Sequence, residues 1–196
     1  MKELEGLFNA LFGRFILQEV LGKVIPGAIL LFSLYIVFVY PDITTPEILI
    51  MLKSLSFSSW FILGSVSWIA SYVIQVFGEF PRPFKLLMYY GPWIPDDVFW
   101  YKKKIRFNEV ATVYERSMFQ RLTNIKKGCG NNAISLMLSS IILAIFWNNR
   151  LRNIELLLTL FIGGVILLFM HRVHAKRSTW WLQNVLKFRG EPRDRI

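Results

Sequence analysis

Four long apolar blocks constrain this chain more than any other feature. They cover about 24–40, 60–77, 132–147 and 154–170. A helix needs about 20 residues to cross a hydrocarbon core, and flanking apolar residues bring each block to that length. The first can begin near Phe15 and the second near Ile50. None has a Lys, Arg or Asp in its middle. Transmembrane β-strands alternate apolar and polar residues, so continuous runs point to helices. The expected fold is an all-α polytopic membrane protein with four transmembrane helices. It has an N-terminal interfacial helix and a cytoplasmic helical segment between spans two and three. The expected parts are 1–77 (interfacial helix and first hairpin), 78–131 (basic cytoplasmic segment), 132–170 (second hairpin) and 171–196 (basic tail).

Charge orients the spans. The chain has 23 Lys+Arg against 13 Asp+Glu, a net +10. Three of the cations precede the first span, ten lie in the central segment and seven in the tail. The two short loops hold only one and two. The positive-inside rule therefore puts both termini and the central segment in the cytoplasm of a bacterial inner membrane, against anionic headgroups. Tyr40, Trp60 and Trp147 would then mark the outer boundary, and Phe77, Trp180 and Trp181 the inner one. On a soluble protein this charge would point to nucleic acid. No recognition motif accompanies it, so direct nucleic-acid binding is not expected. A single cysteine, Cys129, excludes an internal disulfide. No cleavable signal peptide is expected, because the first apolar block follows a long amphipathic stretch.

Between the spans the chain reads as surface-lying helix. From Lys2 to Gly22, Leu4, Leu7, Phe8, Leu11, Phe12 and Phe15 recur at helical spacing, as in a helix on the inner face. Pro81, Pro83, Gly91, Pro92 and Pro95 break the start of the central segment into turns. Asp96 is a fitting N-cap for a helix that carries Lys102, Lys103, Lys104 and Arg106. A second helix is expected from about Asn108. Its apolar stripe would be Val110, Tyr114, Met118, Leu122 and Ile125, with Arg116 and Arg121 off it. It would run through Gly128-Cys129-Gly130-Asn131 into the third span. The two helices are expected to pack on each other, on the membrane surface and on neighbouring copies. The tail would prolong the fourth span as an interfacial helix.

Polar residues inside the spans are the candidate site. Gly64, Ser67, Ser71 and Gln75 share one face of span two. Asn132, Ser135 and Ser139 line span three, and Thr159 and Gly163 have small-xxx-small spacing in span four. Lipid gives such residues no partner, so these faces meet protein or water, as helix packing or as a pore. Lys102, Lys103, Lys104, Arg106, Arg116 and Arg121 are candidate contacts for lipid headgroups or a partner. His171 and His174 are too few for a metal site. No nucleophile–base pairing, phosphate-binding glycine loop or cysteine cluster is present, so neither catalysis nor a cofactor is expected.

This layout resembles the small multi-span membrane proteins of bacterial antiphage loci. Among these are the membrane component of Kiwa systems, membrane accessories of CRISPR systems and spanning effectors of cyclic-nucleotide signalling. The stretch from Tyr114-Glu115-Arg116 to Lys127-Gly128-Cys129-Gly130-Asn131 resembles segments that precede a span in such proteins. The resemblance implies a homo-oligomer that senses or perturbs the inner membrane together with a soluble cytoplasmic partner, in antiviral defence. The residues also admit a small channel or transporter, or a membrane anchor or scaffold without its own activity.

Overall fold

The computed structural model describes residues 15–79 and 97–189. The expected surface helix before Phe15, the turns over 81–95, the cap at Asp96 and the end of the tail from Glu191 lie outside them. The described residues are helical almost throughout, with no strand among them. A π-helical segment, Phe15–Val24, leads directly into α1, Ile25–Val39. Then come α2, Thr45–Ser54, and α3, Phe57–Glu79, followed by α4, Asp97–Val110. Two long helices, α5 (Val113–Phe146) and α6 (Ile154–Phe188), complete the fold.

Among the described residues, three helices are long and apolar enough to cross a membrane: Gly22–Val39, α5 and α6. The pair α2 and α3, bent by 109° at a short break, makes up to four if it counts as one span. The bend falls at Leu55–Ser56, where Leu55 is extended (φ −63°, ψ 128°) and Ser56 Oγ accepts from Ser59 N–H at 3.2 Å, starting a new helix. The start of α2 is set by a capping box, with the Glu47 carboxylate accepting from the Thr44 backbone at 2.7 Å, and Pro46 fits the first turn.

At the end that bears the two turns, the chain closes with apolar packing and polar ties. Ile36, Ile48, Leu143 and Trp147 form one core cluster. Trp147 is fully buried there, whereas Tyr40 and Trp60 are exposed. The turn before α2 is pinned to the α5–α6 turn by asparagines. Asn153 Oδ1 accepts from Thr45 N–H at 3.0 Å and from Thr45 Oγ1 at 2.6 Å. Asn149 donates its amide to the Asp42 carbonyl. These ties satisfy backbone groups at helix ends that would otherwise be orphaned.

At the opposite end α5 and α6 run on as a stalk. With 34 and 35 residues they are about 51 and 52 Å long at 1.5 Å per residue. The helix break expected near Asn108 falls at Ala111–Thr112. There Thr112 caps α5, accepting from Glu115 N–H at 3.2 Å, while Glu115 accepts from the Thr112 backbone. Val110 therefore belongs to α4, and Tyr114 is exposed instead of sitting on an apolar stripe. The expected packing of the two central helices is extended by a third partner. Phe107 and Ala111 pack on Leu182, Val185 and Leu186 of α6, with Phe119 and Trp181 at the margin. Trp181 also donates to the Glu115 carbonyl at 3.2 Å. The tail thus prolongs α6 and clasps α4 and α5.

Candidate functional site

The π-helical segment and α1 form one interrupted element, and the interruption has a chemical cause. Pro26 has no N–H, so the Gly22 carbonyl, four residues earlier, lacks its helical donor. In an apolar medium an unsatisfied carbonyl costs several kcal/mol. Helix α5 supplies a donor for it from a side chain and adds side-chain hydrogen bonds to two further carbonyls of α1. Asn131 Nδ2 donates to Gly22 O at 2.7 Å, Ser135 Oγ to Pro26 O at 2.6 Å, and Ser139 Oγ to Ile29 O at 3.4 Å. These three recur every four residues and form one line down α5. Ser135 and Ser139 stand where the sequence put them. Asn132 does not join them, because its amide bonds back to Gly128 O of its own helix at 2.8 Å. The donor is its neighbour, Asn131. Replacing Asn131 with Leu is expected to cost about 1–3 kcal/mol, the desolvation of an orphaned carbonyl. Thermal unfolding in detergent, followed by tryptophan fluorescence, measures the loss, and a midpoint unchanged by Asn131→Leu would contradict the assignment.

On the other side α1 meets α3. Ser67 and Ser71 are fully buried, and Ser71 Oγ donates to Trp68 O at 2.7 Å. The approach is closest at Gly27, where an added Cβ would lie 1.8 Å from the Ser67 carbonyl oxygen. Gly64, one turn before Ser67 on the same side of α3, does not share that contact: a Cβ there would meet nothing within 4 Å among the described residues. Gln75 continues the register along α3, and its side chain lies outside the described residues. In α6, Thr159 is exposed and returns its hydroxyl to Glu155 O at 2.7 Å. Gly163 makes ordinary contact with Leu136 at 3.6 Å. The tight α5–α6 crossing is one residue further, at Gly164, where a Cβ would lie 2.6 Å from Met137 Cγ. A second close contact seats the His171 ring against Gly130, with Nδ1 2.8 Å from Lys126 O. A carbonyl only accepts, so Nδ1 carries the proton there.

The interrupted segment also carries a charge pair that the sequence reading passed over. Lys23 Nζ lies 2.9 Å from Glu19 Oε2. Trp68 Nε1 donates to the same oxygen at 2.8 Å. Lys23 stands 5.2 Å above the Trp68 ring and 5.6 Å above Tyr72, and the two rings meet edge to face. Trp68 and Tyr72 are about 17 and 23 Å along α3 from Phe57. Lys23 was expected to open the first span, and it stands at the start of the Gly22–Val39 apolar stretch, beside Trp68 and Tyr72 of α3. Its partner was visible in the sequence as Glu19 four residues ahead of a lysine, the favoured order for a helical ion pair.

The basic candidates lie apart from this site, on the stalk. Lys102, Lys104, Arg106, Arg116 and Arg121 are exposed and Lys103 is half-buried. Arg106 pairs with Glu109 at 3.1 Å, an exposed contact of little energetic weight. Among the described residues no group of three or more His, Cys, Asp or Glu side chains is placed to hold a metal ion. The chain matches no protein-family model, no curated protein and no solved structure.

Proposed function

We propose that this chain is a four-span component of the bacterial inner membrane, with both ends in the cytoplasm, that docks a soluble acidic partner on a rigid basic stalk. The observation that carries this reading is the unbroken passage of α5 and α6 beyond the apolar region. Each is about 20 Å longer than a hydrocarbon core of about 30 Å. The projecting parts hold α4 through the Phe107–Leu182 cluster and keep Lys102, Lys104, Arg116 and Arg121 exposed. In this reading α3 is the second span, and its 23 residues give about 35 Å. Helix α2, at 109° to it, lies along the outer surface. The resemblance to antiphage membrane proteins makes the partner a second component of an antiviral system, which the membrane part anchors and reports to.

The test has two arms. Reporter fusions at 53, 104, 151 and the C-terminus should give a cytoplasmic signal at 104 and the C-terminus only. Any other pattern would overturn the topology. Lys102→Glu, Lys104→Glu, Arg116→Glu and Arg121→Glu combined should reduce capture of the protein encoded beside this chain at least tenfold. The same variant should abolish any protection against phage in plating assays. Unchanged capture would remove the stalk as the docking surface.

A further inference from the structure

Counts along two helices end at one level. A hydrocarbon core of about 30 Å takes about 20 residues of helix at 1.5 Å each. Measured inward from the outer turn, that length is used up at Lys127 in α5, which ends at Phe146. In α6, which begins at Ile154, it is used up at Val173. These end points are neighbours in the fold. His171 Nδ1 lies 2.8 Å from Lys126 O, and its ring packs against Gly130. The first span joins the same layer, because Asn131, one turn from Lys127, holds Gly22 O.

The side chains change character at this level. Lys126 and Lys127 of α5 are met by Arg172, His174, Lys176 and Arg177 of α6, and Lys127, Lys176 and Arg177 are exposed. Neither helix carries an Asp or Glu from Arg116 to Phe146 or from Leu156 to Phe188. The headgroup layer reaches about 5–8 Å beyond the hydrocarbon core. Lys176 and Arg177 stand about 5 and 6 Å beyond Val173, inside that layer. The α4 helix does not reach it, since it packs on Leu182, Val185 and Leu186, about 14 to 20 Å beyond Val173. Phosphodiester oxygens are acceptors for Lys and Arg, and Arg can bind them through two parallel hydrogen bonds. A zwitterionic headgroup adds an ammonium that this band repels, whereas an anionic headgroup adds none. Each Lys or Arg near an anionic surface is worth about fivefold. We propose that the band of Lys127, Lys176 and Arg177 binds anionic phospholipid, and that the chain divides its cations between two ligands. This band takes lipid phosphate, and Lys102, Lys104, Arg116 and Arg121 take the soluble partner. The proposal rests on the membrane-spanning reading above.

Native mass spectrometry of the intact chain tests it, in micelles holding equal amounts of phosphatidylglycerol and phosphatidylcholine. The parent should retain phosphatidylglycerol about tenfold or more over phosphatidylcholine. Lys127→Gln, Lys176→Gln and Arg177→Gln combined should remove most of that preference. The same variant should unfold at the parent's midpoint in phosphatidylcholine alone and capture the neighbouring protein as the parent does. The stalk variant with Glu at 102, 104, 116 and 121 should behave in reverse, keeping the lipid preference. Equal retention of the two lipids by the parent, or a full preference in the band variant, would overturn the proposal. Displacement of the lipid by inorganic phosphate would overturn it too, because the band would then be a site for the free ion. Alkaline carbonate extraction of native membranes is read in parallel. A chain released by carbonate refutes the membrane reading, whereas a retained chain without lipid preference refutes the lipid site alone.

Discussion

Gly27→Ala is expected to destabilise the chain by about 3 kcal/mol, the upper part of the range for overpacking. The added methyl would sit 1.8 Å from the Ser67 carbonyl oxygen and 2.6 Å from its carbon, both backbone atoms of a packed helix. No rotamer change relieves such a clash, so α1 must move off α3. That movement also pulls the Pro26 and Ile29 carbonyls from Ser135 and Ser139. Gly64→Ala has the opposite sign for the protomer, because the methyl meets nothing and alanine is the better helix former. Unfolding midpoints of the two variants in monomeric detergent micelles decide the matter. A Gly27→Ala midpoint at or above that of the parent would show that the α1–α3 contact is looser than described.

Breaking the Glu19–Lys23 pair is expected to cost as much. In the membrane-spanning reading, Lys23→Met and Glu19→Gln each remove one member of an ion pair at the end of the first span, where an uncompensated charge costs up to about 3 kcal/mol. The double variant removes both charges and should recover most of the loss, as happens when paired charges are replaced together. Equilibrium unfolding of the parent, both single variants and the double variant closes a thermodynamic cycle. Strictly additive losses would mean that the 2.9 Å contact carries no coupling. Exchanging the two charges, Glu19→Lys with Lys23→Glu, separates neutrality from geometry. It keeps a pair but takes the acceptor from Trp68 Nε1, so it should fall between parent and single variants.

The long helices were legible because hydropathy and charge act over many residues at once. The continuity of α5 through Gly128-Cys129-Gly130 followed from the apolar pattern on both sides of it. What escaped was set by single positions. Thr112 with Glu115, and Thr44 with Glu47, are capping boxes readable in the sequence, and they would have placed the helix starts correctly. The polar line of α5 was displaced from Asn131 to Asn132, because both are amides and periodicity does not separate neighbours. Only the position of the Gly22 carbonyl, 109 residues away in the chain, distinguishes them. Gly163 and Gly164 posed the same problem in α6, and Met137 on the facing helix resolves it. The burial of Trp147 depends on Ile36 and Ile48 folding over it from the first hairpin, a contact that local sequence does not encode.

The dependence of the first span on α5 also sets a timetable for making the protein. The Gly22 and Pro26 carbonyls enter the membrane well before Asn131 and Ser135, their donors, each of which lies 109 residues later. At about 5–20 residues per second, a ribosome needs about 5 to 20 s to reach them. In the membrane-spanning reading, the Gly22 carbonyl of the newborn first hairpin lacks its Asn131 donor throughout that interval, and acyl chains cannot replace it. Its early life is therefore a matter of custody. The insertion machinery must shelter the first half of the chain until the second half arrives, and a shortage of that machinery should deplete this protein before it depletes those whose first spans are complete on their own.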